Sequence, residues 1–365
     1  MPDTHPHHYA MIMAGGAGTR LWPMSRRDRP KQLLRFIDGR SLLAIAADRL
    51  EGVVPPQRRL ICTGEAYREA IRTALPAFGD EQILGEPVGR DTVNAVGFTA
   101  AVLAKRDRDA VFAVLTADHI IEPQDEFRRR LDVGYALVDD DPSRFVTFAI
   151  TPTFPATGYG YVERGHPIEG FDHAFTARQF VEKPDEETAK RYLDAGTFGW
   201  NSGMFVFHAR TFMEALKRFQ PNSHAGLMRI ADVWDGPSRL QMLNDVYPTL
   251  PKTSVDFGVM EPAAEDDSLT ICSVPMSVSW VDVGSWPTYG ETLDADSDGN
   301  RTNARALNLD SRNVLAVSDD PNHTIATIGC DELIVIRTAD VTLVCPASEA
   351  QRVKEMVGIA PEPLR

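Results

Sequence analysis

Four cysteines in 365 residues, Cys62, Cys272, Cys330 and Cys345, are too few and too scattered to frame a disulfide scaffold, and none has C-x-x-C spacing. They read as small buried hydrophobes of a protein kept in a reducing compartment. The chain also lacks any run near the roughly 18 consecutive apolar residues of a membrane span. Its start, MPDTHPHHYA, lacks the basic and then apolar segments of a signal peptide, so a cytoplasmic location without membrane attachment is expected. Positive charge is scarce: 38 Lys and Arg face 52 Asp and Glu, a net charge of −14. Affinity for phosphate backbones comes from Lys and Arg neutralising phosphates, so no nucleic-acid partner is expected, and any anionic ligand must meet a local positive patch. Low-complexity tracts and clear internal repeats are missing as well. What remains, 43% hydrophobic and 25% charged residues, is the composition of a folded globular chain and excludes a disordered or fibrous one. The length suits two domains, or one large α/β domain with an appendage.

Over the first 150 residues short apolar runs alternate with longer amphipathic segments: 8–13, 42–50, 59–63, 66–75, 92–105, 111–116, 127–138 and 145–149. This βαβα rhythm predicts a doubly wound, mostly parallel sheet, with ligands at the carboxyl ends of the strands, where the loops after Met13 and Thr116 lie. From Thr153 to Leu293 the rhythm loosens, with strands expected at 160–164, 175–181, 204–208 and 269–274 and helices near 186–195, 211–219 and 238–245. A first domain over 1–293 follows. The polar, turn-rich DADSDGNRTN at 294–303 reads as a linker. Beyond it, in a tail over 304–365, VLAV, TIATIG, ELIVIR and VTLVC recur at roughly ten-residue intervals, which suits β-hairpins or β-solenoid turns. Residues 349–357 after Ser348 read as a capped closing helix. The HPHH at 5–8 offers metal-ligand types but is read as a flexible N-terminus leading into the first strand.

The most informative stretch is MAGGAGTRLWPMSRRDRPKQLL at 13–34, directly after an apolar strand. Gly15, Gly16 and Gly18 let the backbone turn sharply and present N–H groups to an anion, for which phosphate is the natural guest. The spacing is neither a Walker A loop nor a dinucleotide fingerprint, since Thr19 and Arg20 follow the glycines. Charge strengthens the reading: Arg20, Arg26, Arg27, Arg29 and Lys31 face Asp28 alone within an acidic chain.

The G-x-G-T-R-L-x-P-x-S pattern with a downstream P-K-Q resembles the signature of nucleotidyltransferases that make nucleotide sugars. The Leu21-Trp22-Pro23 and Pro30-Lys31-Gln32 variants resemble its mannose-1-phosphate guanylyltransferases in particular. Further stretches match in the same order: GEPVGRDTVNAV, LTADHII, TGYGYVE, FVEKP, WNSGMF, SVDFGVME and WVDVGSW, and then the β-rich tail. The resemblance covers nearly the whole chain. It implies a Rossmann-like nucleotidyltransferase domain of α/β class with a mixed, mostly parallel sheet and a short C-terminal β-helix-like tail. Such tails often serve oligomerisation, so this one is the candidate homodimer surface.

The implied reaction is transfer of GMP from GTP to α-D-mannose 1-phosphate by direct in-line attack, giving GDP-mannose and pyrophosphate with Mg²⁺ as cofactor. The implied nucleotide site comprises Gly15, Gly16, Gly18, Thr19, Arg20, Lys31, Glu86, Arg90, Asp91, Thr92 and Asp118. Asp118 and Asp282 are the implied metal ligands, because Mg²⁺ takes hard oxygen donors; His119 is expected to be a packed neighbour. Lys183 is implied to grip the sugar phosphate and Glu182 the sugar hydroxyls, with Gly160 allowing close backbone approach and Asn201 reaching the sugar or its phosphate. Catalytic cations would be Arg20, Lys31 and Lys183. Glu182 and Lys183 are neighbours whose side chains diverge in extended chain, so both face one ligand only if the strand ends there, as Pro184 suggests. Trp200, Phe205, Trp280 and Trp286 read as core walls. A guanine reader needs acceptors, and Glu86 and Asp91 are available; the family more often has Arg-Asn-Thr where this chain has Arg90-Asp91-Thr92. The alternatives are a related transferase with another nucleotide or sugar, and a non-catalytic nucleotide-sugar sensor. Length disfavours an added isomerase domain.

Overall fold

The structure, a computed structural model, describes residues 5–35 and 37–365. Strands and helices alternate through the first half as β1 His8–Ala14, α1 Leu42–Asp48, β2 Arg59–Gly64, α2 Arg68–Ala74, β3 Ile83–Glu86, α3 Thr92–Arg106, β4 Val111–Thr116, β5 His119–Glu122, α4 Gln124–Asp140 and β6 Arg144–Ile150. Then come β7 Tyr161–Pro167, β8 Phe175–Val181, α5 Glu186–Ala195, β9 Phe198–His208, α6 Ala209–Phe219, α7 Pro221–Asp232, α8 Arg239–Val246, β10 Thr270–Met276 and β11 Ser279–Asp282. Two compact units emerge. One takes the chain to Gly15 and then Ala46–Ala117 and Ile121–Ser279; the other takes Gly16–Ile45, Asp118–Ile120 and Trp280–Arg365.

The first unit is built on a nine-stranded sheet of order β3-β2-β1-β4-β9-β6-β10-β8-β7. β3, β2, β1 and β4 run parallel, as do β6 and β10, while β9 enters antiparallel between β4 and β6. The sequence explains the burial. VFAVLT in β4 is apolar almost throughout, and every residue of it is buried, as in a central strand covered on both faces. α3 is buried continuously from Val93 to Leu103 rather than along one stripe, because it is enclosed by its neighbours on all sides. Phe98, Phe112, Phe145, Phe205, Phe207 and Phe212 fill the core around it, each fully enclosed, and burying a side chain of that size contributes about 1.5–3 kcal/mol.

The second unit has its own core, in which Leu21, Trp22, Met24 and Leu34 meet Val283, Trp286 and Tyr289 and, from the tail, Leu315, Val317, Ile334 and Ile336. Its β-part comprises β12 Arg301–Thr302, β13 Arg305–Leu309, β14 Leu315–Ser318, β15 Thr324–Ile328, β16 Leu333–Arg337 and β17 Thr342–Pro346. Strands β12, β14 and β16 stack in parallel in one sheet, β13 and β15 in another, and β17 closes the first antiparallel to β16. Successive strands thus alternate between two parallel stacks, a solenoid rather than a set of hairpins.

Several elements depart from the sequence reading. The four-residue β3 has too short an apolar run to announce itself, and α7 opens on Pro221 at its first helical position, which disguises the start. β9 begins at Phe198 rather than Met204, since two glycines mask its first half. Residues 294–303 are no slack linker: the Asp296 carboxylate accepts N–H bonds from Asp298 and Asn300 at 2.9 Å each, and Asn300 is buried. The compact units divide at Ser279 and Trp280, with the glycine loop in the unit that holds the tail. Ser348 lies inside a 3₁₀ turn over 347–352 instead of capping the helix, which runs 353–359. Residues 1–4 lie outside the described residues, while His5–His8 are held in place by contacts given below, correcting the expectation of a flexible lead-in. No described helix is long and apolar enough to cross a membrane.

Candidate active site

β1 and β4 run side by side and end together, the Ala117 N–H donating to the Met13 carbonyl at 3.1 Å. The chain leaves β1 into the glycine loop and leaves β4 into Asp118, at the carboxyl ends where doubly wound sheets bind ligands. Both departures lead into the second unit. There Gly18 adopts φ +62°, and a Cβ on it would lie 2.6 Å from the Lys31 Cβ, so both its conformation and its neighbour demand glycine. Its carbonyl accepts the Leu21 N–H at 2.8 Å and the Ser25 hydroxyl at 2.5 Å, closing the loop into a 3₁₀ turn over 19–21.

Lys31, brought under the loop in this way, forms an ion pair with Asp118 Oδ2. Burial pushes the Asp118 carboxyl up, but the Lys31 ammonium and the neighbouring His119 outweigh it and hold the group below the usual carboxylate range. The Asp118 carbonyl accepts the Val283 N–H at 3.0 Å, which sets Asp282 beside it. One ligand atom from each of Asp118, His119 and Asp282 fits within a 4.8 Å group. His119 Nε2 lies 3.9 Å from Asp118 Oδ1 and 4.0 Å from Asp282 Oδ1. Its Nδ1 accepts the Trp280 indole N–H at 3.1 Å. An indole nitrogen only donates, so the proton of a neutral His119 sits on Nε2, facing the carboxylates, which leaves that nitrogen no lone pair for a metal. Two carboxylates at this spacing are the oxygen donors a hard divalent cation takes.

The tail secures this loop. The Trp22 indole donates to the Leu364 carbonyl at 2.7 Å, and the Trp286 indole donates to the Trp22 carbonyl at 2.9 Å. Arg26 grips both Asp340 oxygens, at 2.8 and 2.5 Å. Arg20 is exposed and donates to Gln351 Oε1 at 3.1 Å.

In the first unit a second charged cluster gathers Gly160, Glu182, Lys183 and Asn201. β8 ends at Val181 and Lys183 takes φ +46°, so the two neighbouring side chains do not diverge: Lys183 Nζ donates to Glu182 Oε1 at 2.7 Å. That bond raises the lysine pKa. A Cβ on Gly160 would sit 2.5 Å from Glu182 Oε2, so the glycine admits the carboxylate. Asn201 is buried, its Oδ1 accepting from the Thr147 hydroxyl at 2.9 Å and its Nδ2 donating to Asp256 Oδ1 at 2.8 Å. Asp256 is a member that sequence reasoning missed. Burial first, and the charge of Glu182 second, push its carboxyl up to about 6. Glu261, also missed, accepts the Glu182 N–H at 3.2 Å. Both belong to SVDFGVME, whose match was visible although no role attached to its residues.

The Glu86–Thr92 corner joins this cluster, since the Val255 N–H donates to Thr92 Oγ1 at 2.8 Å. Both acceptors expected to read a base have partners within the protein. Glu86 is buried and takes the Tyr247 hydroxyl on Oε1 at 2.6 Å, and burial raises its pKa. Asp91, at φ +66°, caps α3 by accepting the Thr92 N–H at 2.8 Å. Arg90 Nε and Asn94 Oδ1 are buried with no hydrogen-bond partner among the described residues, one donor and one acceptor at the same corner. Tyr247 carried no sequence signal. Trp200, Phe205 and Trp286 are buried as core walls; Trp280 is instead the donor that orients His119.

A profile of nucleotidyl transferases matches residues 9–299, and one described as a mannose-phosphate isomerase/GMP-like β-helix domain matches 304–359. The chain is 35% identical to the mannose-1-phosphate guanylyltransferase of Klebsiella pneumoniae over 351 residues, covering 95% of this chain and 72% of that protein. It is 34% identical to the xanthan biosynthesis protein XanB of Xanthomonas campestris pv. campestris (strain B100), with coverages of 95% and 72%. Among solved structures, the crystal structure of a protein described as mannose-1-phosphate geranyltransferase from Thermus thermophilus superimposes with a TM-score of 0.84 at 33% identity, over 97% of this chain and 99% of that one.

Proposed function

The chain belongs to the nucleotidyl transferase family, among its mannose-1-phosphate guanylyltransferases, and from that membership we propose that it transfers GMP from GTP to α-D-mannose 1-phosphate. A phosphate oxygen of the sugar phosphate attacks the α-phosphorus of GTP, a new P–O bond forms, the bond to the β-phosphate oxygen breaks, and pyrophosphate leaves with that electron pair. No general base is needed, because a phosphate monoester has a second pKa of about 6 and is mostly dianionic at neutral pH. The barrier lies in bringing anions together: two unit charges 4 Å apart repel by about 1 kcal/mol in water and about 4 at an effective dielectric of 20.

Cations are therefore the chemistry this chain must supply. Arg20 and Lys31 neutralise the triphosphate and the departing pyrophosphate, and Lys183 holds the attacking phosphate. Glu182 accepts from sugar hydroxyls, and Asn201 donates to the sugar or its phosphate. Asp118 and Asp282 would hold Mg²⁺, which when bound adds positive charge at the phosphate oxygens. Alignment of the reactants supplies up to roughly 7–11 kcal/mol more. The reading is supported above all by one cluster of the second unit, in which Lys31 pairs with Asp118 and Asp118 stands beside Asp282.

The test is pyrophosphate release with Mg²⁺ across GTP, ATP, UTP and dTTP against mannose, glucose and N-acetylglucosamine 1-phosphates. Turnover confined to GTP with mannose 1-phosphate is expected. Turnover with a different pair would move the specificity, and none with any pair would overturn the assignment. We also propose that the tail pairs with a second copy of the chain through the exposed Leu307, Leu309 and Ile328 of β13 and β15.

A further inference from the structure

We propose that His5, His8 and Asp139 form a binding site for a borderline divalent cation of the zinc or cobalt class. The N-terminal histidines divide between two carboxylates. His7 Nδ1 meets both Asp107 oxygens at 3.0 Å. His8 follows it as the first residue of β1, and its Nε2 lies 2.8 Å from Asp139 Oδ2 on α4. The His8 ring is fixed between two others, stacked on Tyr135 at 4.2 Å and on His5 at 4.5 Å. His5 is exposed but its backbone is anchored: its carbonyl accepts the His8 N–H at 3.2 Å and the Arg58 guanidinium. One ligand atom from each of the three residues fits within a 4.8 Å group.

Two imidazoles and one carboxylate are the donor set of an open zinc site, with water in the fourth position, and not that of Mg²⁺. The cation enters where His8 and Asp139 share a proton. That proton moves from Nε2 to Nδ1, freeing the Nε2 lone pair, and a swing of the exposed His5 side chain completes the set. The surroundings favour a cation as well. A cavity of about 1070 Å³ opens beside the histidines, with Asp48, Glu51 and Asp132 on its wall. The guanidinium of Arg59, also on that wall, is engaged by the carbonyls of Val54, Ala47 and Leu50 at 2.7–3.2 Å. A bound ion would tie the turn before β1 to α4.

The experiment titrates Co²⁺ into the untagged chain at pH 7.5 with Mg²⁺ in large excess, reading the visible ligand-field bands, and repeats the titration with Zn²⁺ by calorimetry. One ion per chain with bands of imidazole ligation is expected. Outer-shell changes at metal sites cost roughly 10–100-fold in affinity, so His5→Ala and Asp139→Asn should each weaken binding by at least about tenfold. His7→Ala should bind as the parent does. Zinc should raise the melting temperature of the parent but not of His5→Ala, while the transferase rate of His5→Ala stays at the parental value. Affinity unchanged in both His5→Ala and Asp139→Asn, or lost equally in His7→Ala, would overturn the site, as would the lack of a cobalt spectrum.

Discussion

Asp282 carries the sharpest consequence at the scale of single residues. Its carboxylate stands in one cluster with Asp118 and His119, and Asp282→Asn preserves its volume while deleting the charge. Loss of one preorganised electrostatic partner commonly costs about 10²–10³ in kcat. A drop of that order in Mg²⁺-dependent turnover is expected, with an unchanged circular dichroism spectrum and melting temperature; near-parental rates would remove Asp282 from the mechanism. That Asp118 and Asp282 come together was expected from two motifs, each local in sequence, as Gly18, Thr19 and Arg20 were from a third. Partners supplied from elsewhere were not readable. Nothing about Trp280 in WVDVG distinguishes a core wall from a hydrogen-bond donor to His119 until the strands are placed. Tyr247 meets Glu86 across 161 positions of chain, a separation that no local pattern encodes.

At the scale of elements, the short π-helical turn over Asp256–Met260 is the unexpected component. Such turns are rare and recur at functional sites, and this one delivers Asp256 to Asn201 and, just after it, Glu261 to the Glu182 backbone. No helix was expected over these residues, because five positions are too few to show a periodicity. Asp256, at about 6 against an ordinary value of 3.8, binds more protons in the folded than in the unfolded chain between those pH values. Stability from this group is therefore full below about pH 4 and is lost as pH rises through 6, by up to about 3 kcal/mol. Asp256→Asn keeps an acceptor for Asn201 and removes the buried charge. The variant should melt several degrees above the parent at pH 8, with the gap closing toward pH 4.5. A gap that is constant with pH, or of the opposite sign, would falsify this account of the pocket. The strands that were legible, β1, β2, β4 and β6, are those with continuous apolar runs, whereas β3 and the start of β9 were hidden by shortness and glycine.

At the scale of the whole molecule, the tail has one packed face and one exposed apolar one. Its inner face packs on the glycine loop through Trp22 and Trp286, while Leu307, Leu309 and Ile328 remain 58–73% exposed on the parallel pair β13 and β15. The proposed pairing with a second copy would cover these exposed apolar side chains. Leu309→Asp combined with Ile328→Asp should convert a dimer, measured by light scattering after gel filtration, into a monomer; identical masses for parent and variant would discard this surface. The ten-residue recurrence of apolar runs foretold the β character of this region, and the alternation between two stacks needed the structure.

That the loop-bearing unit joins residues 16–45 to 280–365 also bears on how the protein is made. The ribosome releases the glycine loop early, yet Trp286, Asp340 and Leu364, which hold it, follow about 250 residues or more later, a delay of roughly 12–50 s or more at about 5–20 residues per second. Throughout that interval a nascent chain owns the glycine loop without the scaffold that shapes it. Stalled or abandoned translation products should therefore lack the proposed transferase activity.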